Sequence, residues 1–356
     1  MKRCAGPALS IAAILLAVST LQASREDPLE RSTILGMLLI ETPSGPIMWQ
    51  ARQRGITSKP DSEFVGALRT AGATEELIEA IRSAPRKKPR GGRAPNESQE
   101  RELVSHLARA ATFKSNRQWA QMEQECRAAL AISPEKPILH EVLGFQLAQR
   151  GRNEEARASL REAIRLEPDQ GGSHWVFGRA LDQMGDLDGA IAEYRAAAQL
   201  SPQSAILRNL LGVELLKKGR VDEAITEFRE AVRLWPDYAD AHYNFGNALC
   251  LKGDWDAAAA RYRAAVRLEP DYARAHNNLG VILLRHRDAD GAIKEFRAML
   301  RSEPNDALAH FNLGQALLLK GKRSEALSEF RVACELSPDN ITLRQRYRDL
   351  QATSTQ

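Results

Sequence analysis

Cysteine is scarce in this chain of 356 residues, which contains only four. They are Cys4, Cys126, Cys250 and Cys334, and no two of them form a CxxC pair. Such spacing is not that of a disulfide framework, a redox pair or a zinc site. We therefore expect the cysteines to be small apolar residues of a core.

An excess of either charge is also missing. The chain has 50 Lys and Arg residues against 46 Asp and Glu residues, a formal net charge of +4. Loss of residues 1–23 would remove Lys2 and Arg3, which leaves 48 basic against 46 acidic side chains, a net charge of +2. This balance gives no reason to expect nucleic acid as a partner.

Motifs that carry catalysis are absent from the sequence as well. It has no nucleophile elbow, no phosphate-binding glycine loop and no HExxH segment. These are signatures of hydrolases, nucleotide-binding enzymes and zinc peptidases. We expect a protein that is not an enzyme and that needs neither a cofactor nor a metal ion.

Long apolar runs are confined to the N-terminus. A positively charged start precedes an apolar stretch from Ala8 to Val18, and small residues follow it. This layout predicts a secretory signal peptide at residues 1–23, cleaved after Ser19 or Ala23. We therefore expect export to the periplasm or the extracellular space. An uncleaved signal would instead tether the protein to the inner membrane through residues 5–22.

Residues 30–84 read as a small helical block that precedes the rest of the chain. We expect three or four short helices, at Arg31 to Ile40, Pro46 to Arg54, Asp61 to Ala71 and Thr74 to Ser83, of which the last two carry apolar residues at helical spacing. Residues 85–98 then contain three prolines, two glycines and five basic side chains, which predicts a solvated linker. We expect the block to be a cap or a docking module.

A unit of 34 residues fills most of what remains. Proline recurs with this period at Pro134, Pro168, Pro202, Pro236, Pro270, Pro304 and Pro338. Glycine keeps the same step at Gly144, Gly178, Gly212, Gly246, Gly280 and Gly314. The copies are residues 103–136, which are degenerate, and then 137–170, 171–204, 205–238, 239–272, 273–306 and 307–340. Such a period is typical of a repeat architecture.

Two apolar faces recur within each copy. Numbered from the first residue of a copy, positions 4, 7, 8 and 11 have the spacing of one helix face, and positions 20, 24 and 27 that of a second. Small residues at positions 8 and 20 let the two helices approach closely, and the large side chain at position 24 fills the remaining space. Glycine at position 15 ends the first helix, where the chain needs a left-handed residue, and proline at position 32 blocks continuation of the second. One hairpin cannot bury both of its faces, so we expect stacked hairpins that share a core.

This pattern, with leucine at position 11 and alanine at position 20 of all six full copies, resembles the tetratricopeptide repeat (TPR) family over residues 103–340. The resemblance implies an all-α fold, an α-solenoid of stacked helix-turn-helix units. Arg287 replaces the turn glycine, and the degenerate copy carries Ala110 and Cys126 in place of the glycine and the aromatic residue.

A final helix is predicted at residues 341–352, beyond the last copy. We expect it to cap the array through apolar residues that cover the last repeat, namely Ile341, Tyr347 and Leu350.

Histidine occupies position 4 of six copies, as His106, His140, His174, His242, His276 and His310. Equivalent positions on neighbouring first helices are about 8–10 Å apart, whereas two nitrogens on one zinc ion each lie about 2 Å from it. We also expect no Cys, Asp or Glu to recur beside these histidines. They are therefore interpreted as packing residues.

In the TPR family the first helices line a concave groove, toward which positions 2, 5, 6, 9, 12 and 13 are turned. The resemblance places eleven candidate ligand-binding residues there: Trp175, Arg179, Asn209, Tyr243, Asn244, Asn247, Asn277, Asn278, Phe311, Asn312 and Gln315. Amides can pair with the main chain of an extended peptide, and aromatic residues are the expected apolar anchors. The alternative is that the asparagines only hold neighbouring first helices together.

The expected function is a non-enzymatic scaffold that binds a protein or an extended peptide in this groove. One alternative is a membrane-tethered assembly factor that acts through the 30–84 block. Another is part of an enzyme system of the glycosyltransferase kind, since such repeats precede that domain in some enzymes. Only 16 residues follow Asn340, so we expect no catalytic domain here.

Overall fold

Helices account for nearly all regular structure in this protein. The computed structural model describes residues 28–42, 44–87 and 96–352, and these residues form 19 α-helices and no β-strand. They divide into two compact units, residues 28–220 and residues 221–352. The chain is therefore all-α, as predicted.

The first unit begins with four short helices, whose ends lie within two residues of the predicted ones: α1 (Arg31–Leu39), α2 (Ser44–Arg54), α3 (Ser62–Thr70) and α4 (Glu75–Ser83). The Asp61 side chain accepts a hydrogen bond from Phe64 N and caps α3, and Thr74 caps α4 in the same way. Such caps satisfy donors that a helix leaves free at its start. Isolated β-bridges also join Leu29 to Ile56 and Ile56 to Arg86.

The predicted linker at residues 85–98 is ordered at both ends. Ile56 N donates to Pro85 O (2.9 Å) and Lys87 N donates to Ile56 O (3.0 Å). At the other end, Asn96 caps a helix that begins at Glu97. The first hairpin of the array therefore starts before residue 103.

Helix hairpins follow in both units. The first unit continues with α5 (Glu97–Ser115), α6 (Trp119–Ile132), α7 (Pro137–Ala148), α8 (Asn153–Leu166), α9 (Gly171–Gln183), α10 (Leu187–Leu200) and α11 (Ala205–Lys217). The second unit consists of α12 (Val221–Leu234), α13 (Ala239–Lys252), α14 (Trp255–Leu268), α15 (Ala273–Arg285), α16 (Ala289–Ser302), α17 (Ala307–Leu319), α18 (Arg323–Leu336) and α19 (Ile341–Ala352).

Close approach within each hairpin depends on the glycine at position 8. A Cβ on Gly246 would lie 2.6 Å from the Tyr262 ring, and a Cβ on Gly314 would lie 2.8 Å from the Phe330 ring. The ring at position 24 thus occupies the space where the side chain of position 8 would be. In the degenerate copy, where Ala110 replaces the glycine, position 24 is the smaller Cys126.

The turn inside each hairpin requires a left-handed residue. Arg287 takes a φ of 62° where the other full copies place glycine, as predicted, at a cost of about 1 kcal/mol. Arg117 has a φ of 56° at the same position of the degenerate copy, which was not predicted.

An ion pair recurs between position 14 of one repeat and position 18 of the preceding repeat. The pairs are Lys218 with Asp188 at 2.7 Å, Lys252 with Asp222 at 2.6 Å, His286 with Asp256 at 3.7 Å, and Lys320 with Asp290. All lie at the protein surface, where one such pair contributes up to about 1 kcal/mol. Their constant spacing shows that successive repeats inside each unit pack in the same way.

The final helix, α19, forms as predicted, but Ile341 does not cover the last repeat. Ile341 is 74% exposed, whereas Leu343 is buried. The expectation for Ile341 was wrong because it lies off the face on which Leu343, Tyr347 and Leu350 follow one another at helical spacing.

The signal peptide predicted at residues 1–23, and its alternative as an anchor at residues 5–22, lie outside the described residues. Among the helices of residues 28–42, 44–87 and 96–352, none is long and apolar enough to cross a bilayer.

Candidate functional site

The groove surface of the first unit is occupied by the chain's own helix α1. This helix buries seven of its nine residues. A Cβ on Gly36 would lie 2.4 Å from Ile138 Cγ1 and 3.5 Å from Val142 Cγ2. Ile138 and Val142 stand at positions 2 and 6, which are groove positions in TPR proteins. Helix α1 therefore fills the part of the groove that α7 lines.

The amino end of α1 is bound by a carboxylate. Glu100 accepts hydrogen bonds from Ser32 N (2.7 Å) and from Ser32 Oγ (2.9 Å). Burial raises the pKa of Glu100, although Lys136 at 3.6 Å opposes this shift. Negative charge is favourable at the start of a helix, where main-chain N–H groups are free.

Three side chains from successive repeats bind the carboxyl end of α1. Lys114 Nζ (3.1 Å) and Gln146 Nε2 (3.0 Å) donate to Leu39 O, and Arg179 Nη1 donates to Ile40 O at 3.0 Å. The last carbonyl groups of a helix have no partners within it, and cations are favourable there. The groove thus binds both ends of α1 with charges that match the helix dipole.

Glu41 extends this contact beyond the helix. Its carboxylate lies 3.1 Å from Lys114 Nζ and 3.9 Å from Arg179 Nη2. Burial opposes ionisation of this carboxyl, but the charge of Lys114, with smaller help from Arg179, outweighs it and lowers the pKa of Glu41. Glu41 also has a φ of 60°, a conformation that costs about 1 kcal/mol.

The three candidate residues of the first unit offer little surface to a ligand. The Arg179 guanidinium lies over the Phe145 ring (4.7 Å) and the Trp175 ring (4.9 Å), and burial lowers the pKa of Arg179. Trp175 and Asn209 are buried too. Sequence reasoning placed Arg179 in an open groove because it did not foresee the contact between this side chain and the end of α1.

The second unit presents a different groove surface. Its predicted residues Tyr243, Asn244, Asn247 and Asn312 are buried, while Asn277, Asn278, Phe311 and Gln315 are partly exposed. Two apolar side chains that sequence reasoning did not single out as anchors are more exposed, Val281 at 44% and Leu308 at 57%. They stand at positions 9 and 2, which are groove positions, and this could have been read from the repeat numbering.

A chain of hydrogen bonds links the asparagines of the second unit. Tyr262 Oη donates to Asn247 Oδ1 (2.7 Å), and Asn278 Nδ2 donates to the same oxygen (3.1 Å). Asn277 Nδ2 donates to Asn278 Oδ1, and Asn312 Nδ2 donates to Asn277 Oδ1, both at 3.3 Å. The asparagines thus connect three successive first helices.

Two predicted aromatic anchors of the second unit differ in exposure. Tyr243 is fully buried, with its ring centroid 5.1 Å from that of Tyr272 and 5.9 Å from that of Tyr262. Phe311 packs on Phe330 at 5.3 Å and remains partly exposed. Of the two, Phe311 is the one that a ligand can reach.

The expectation that no acidic residue recurs beside the histidines was wrong. Four of them bond through Nδ1 to a glutamate 19 residues later, at 2.6–2.7 Å: His106 to Glu125, His174 to Glu193, His276 to Glu295 and His310 to Glu329. His276 and His310, together with His140 and His242, bond through Nε2 to the proline carbonyl of the preceding copy, as His276 does to Pro270 O (2.9 Å). These glutamates all stand at position 23, so the sequence already contains the constant spacing between them and the histidines at position 4.

These pairs fix the histidines within their hairpins. Burial opposes protonation of His276, but the bonds to Glu295 and to Pro270 O raise its pKa. His242, which has Arg261 at the equivalent position, instead has a lowered pKa, chiefly because of burial. No group of three or more His, Cys, Asp or Glu residues that could hold a metal ion occurs in the described part of the chain.

Comparison with protein families identifies the repeat. A family model described as "TPR repeat" matches residues 212–253 and 246–286, and a second, described as "Tetratricopeptide repeat", matches residues 146–205 and 284–341. No curated protein matches the chain.

Solved structures share the fold at low sequence identity. PilF of Pseudomonas aeruginosa is 21% identical with a TM-score of 0.50, and the match covers 65% of this chain and 99% of PilF. The C-terminal part of a TPR repeat-containing protein from Cytophaga hutchinsonii is 14% identical with a TM-score of 0.55, over 66% of this chain and 97% of that one. YrrB, described as a TPR protein with an unusual peptide-binding site, is 24% identical with a TM-score of 0.48, over 53% and 97%.

Proposed function

Because this chain is a tetratricopeptide repeat protein, whose fold supports a role in protein interaction, we propose that it is a non-enzymatic scaffold. Its ligand is a protein or an extended peptide, and the binding surface is the concave side of residues 239–340.

One observation carries this proposal: the groove positions of the second unit expose apolar side chains beside amides. Val281 and Leu308 are 44% and 57% exposed, and Phe311, at position 5, is partly exposed. Asn278 and Asn312 occupy position 6 of the two copies that contain these apolar residues. Apolar side chains in such a position gain free energy when a ligand covers them. In the first unit, helix α1 lies on the groove positions of α7, among them Ile138 and Val142.

The ligand that suits this surface is an extended segment with apolar side chains. Asn277, Asn278 and Gln315 are partly exposed amides, and an amide offers both donors and acceptors to a peptide main chain. The mutual hydrogen bonds of the asparagines hold Asn277 and Asn278 in place before a ligand arrives, which lowers the entropy lost on binding.

A charge placed on this surface tests the proposal. We expect the double substitution Val281→Asp and Leu308→Asp to abolish capture of the partners that full-length protein retains from an extract of its source cells. Leu200→Asp is the matched control, because Leu200 is also exposed, at 40%, but lies at the end of a second helix. Equal capture by the double variant and by the wild-type chain would contradict the proposal.

The asparagines are tested separately from the apolar residues. The triple substitution Asn244→Ala, Asn278→Ala and Asn312→Ala should weaken capture if the amides bind the ligand. If they only join the first helices, the triple variant should be less stable to urea but should capture the same partners in the same amounts.

We also propose that the protein acts outside the cytoplasm, since residues 1–23 have the layout of a secretory signal peptide. The N-terminal sequence of the mature chain, together with cell fractionation, tests this. A start after Ser19 or Ala23 would support a released protein, and an intact N-terminus in the membrane fraction would support the alternative of a tethered assembly factor.

A further inference from the structure

A basic cavity lies in the second unit, between α16 and the turn that joins α17 to α18. Its volume is about 320 Å³. Five cationic side chains, one carboxylate and two apolar residues line it: Lys294, Arg297, Arg301, Lys320, Lys322, Asp290, Ile293 and Leu317. The side chains on α16 belong to a second helix, so the cavity is separate from the groove positions of the first helices.

Two carboxylates neutralise part of this positive charge. Asp290 pairs with Lys320. Glu325, at the rim, lies 2.7 Å from Lys322 Nζ and 3.5 Å from Arg297 Nη2.

Two of the cations remain without such a partner. Lys294 and Arg301 form no salt bridge with any residue in the described part of the chain. Five cations against the two carboxylates of Asp290 and Glu325 leave the cavity and its rim with a net charge of +3. A site of this charge favours an anionic ligand.

One of these cations departs from the repeat pattern. Lys294 stands at position 22, where the other full copies carry small residues: Ala158, Ala192, Thr226, Ala260 and Ser328. Position 16 is an aspartate that caps the second helix in three copies, Asp186, Asp254 and Asp288. It is a cation in the other three, Arg152, Arg220 and Lys322, and helix α18, which follows Lys322, has no side-chain cap.

We propose that this cavity binds an acidic peptide segment through several of its carboxylates. Lys294, Arg297 and Arg301 follow one another at helical spacing and span about 10 Å along α16. An extended peptide advances about 3.3 Å per residue, so carboxylates distributed over about four residues can reach all three cations. A single phosphate group is too short to do so.

Nucleic acid fits this cavity less well. No aromatic side chain lines it, and proteins that bind single strands use aromatic rings on which the bases stack. The net charge of this chain is only +4, whereas nucleic-acid-binding domains show a large excess of positive charge.

Fluorescence anisotropy with a labelled hexaglutamate peptide and the full-length chain tests this site. The double substitution Lys294→Ala and Arg301→Ala should weaken binding about fivefold to tenfold, as expected for the loss of two exposed charge contacts. The matched control is Arg263→Ala with Arg267→Ala, which removes two exposed arginines from α14 and leaves the same net charge. That variant should bind as the wild-type chain does.

A second variant separates binding from folding. Lys322→Asp introduces the aspartate that caps the equivalent helix in three other copies, so it should raise the thermal unfolding midpoint while it weakens hexaglutamate binding. Equal binding of the peptide by the two double variants would overturn the proposal. So would binding of a hexathymidylate strand or of anionic vesicles that is as tight as that of the peptide. Because the cavity is separate from the concave surface, failure here leaves the capture experiments with Val281 and Leu308 unaffected.

Discussion

The position of α1 on the first unit can be tested with one methyl group at Gly36. A Cβ there would lie 2.4 Å from Ile138 Cγ1, about 1 Å closer than atoms of this kind normally approach. Such overpacking costs about 1–3 kcal/mol, whereas alanine in place of glycine inside a helix recovers up to about 1 kcal/mol. We expect Gly36→Ala to destabilise the protein by about 1 kcal/mol.

The same substitution should have the opposite effect in an Ile138→Ala chain. Ile138→Ala alone lowers the free energy of unfolding by about 2–5 kcal/mol, because the removed atoms leave a cavity. It also removes the atom that the new methyl group would meet. Gly36→Ala then keeps its gain in helix propensity, stabilises the protein by about 1 kcal/mol, and shows a coupling with Ile138 of about 2 kcal/mol.

Urea unfolding of the four full-length chains, followed by circular dichroism, measures this coupling. Gly66→Ala in α3 is the control: no atom lies within 4 Å of a Cβ added there, so it should stabilise both backgrounds by up to about 1 kcal/mol. If the effects of Gly36→Ala and Ile138→Ala simply add, α1 does not lie on α7, and the groove of the first unit is open to ligands.

Three further predictions concern buried charges and backbone strain. Burial raises the pKa of Glu141 to about 7, although Ser173 donates a hydrogen bond to its carboxyl group. The folded state therefore loses stability as pH rises from about 4.5, the ordinary pKa of this group, through 7. Glu141→Gln should raise the urea midpoint at pH 8 and change it little at pH 4. Because the pKa of His276 is raised in the folded state, its pair with Glu295 stabilises the fold at low pH, and this contribution is lost as pH rises through that pKa. Glu295→Gln should therefore lower the urea midpoint more at pH 6 than at pH 9. Arg287→Gly should remove the strain of the left-handed turn and raise the free energy of unfolding in urea by up to about 1 kcal/mol.

Periodicity in the sequence was sufficient to place the hairpins and the close contact between positions 8 and 24. The glycine at position 8 and the large residue at position 24 predicted a close approach of two helices, which the Gly246 and Tyr262 contact confirms. The left-handed turn at Arg287 followed from the same numbering, because its copy has an arginine where the others have glycine. Both features depend on residues within one repeat.

The covering of the first groove by α1 could not be predicted in this way. The contacts that place α1 join residues far apart in the chain, such as Leu39 with Gln146 and Ile40 with Arg179, and no periodic pattern connects them. One signal was available. Helix α1 is apolar on all sides, and a helix of that kind must be covered on all sides.

The histidine and glutamate pairs were missed for a different reason. His276 and Glu295 lie in different helices of one hairpin, 19 residues apart, so a search for acidic neighbours along a single helix does not find them. A comparison of positions 4 and 23 across the copies would have revealed the pairing.

The ion pairs between successive repeats have a bearing on how such an array can change in length. Because position 14 of one copy meets position 18 of the copy before it, a 34-residue segment could be duplicated or lost between Asp188 and Lys320, and every junction would again bring a lysine or histidine to an aspartate. The last copy differs, since Ser324 occupies position 18. A copy joined after residue 340 would find no carboxylate there, so internal duplication is the route by which this array can grow without loss of its surface contacts.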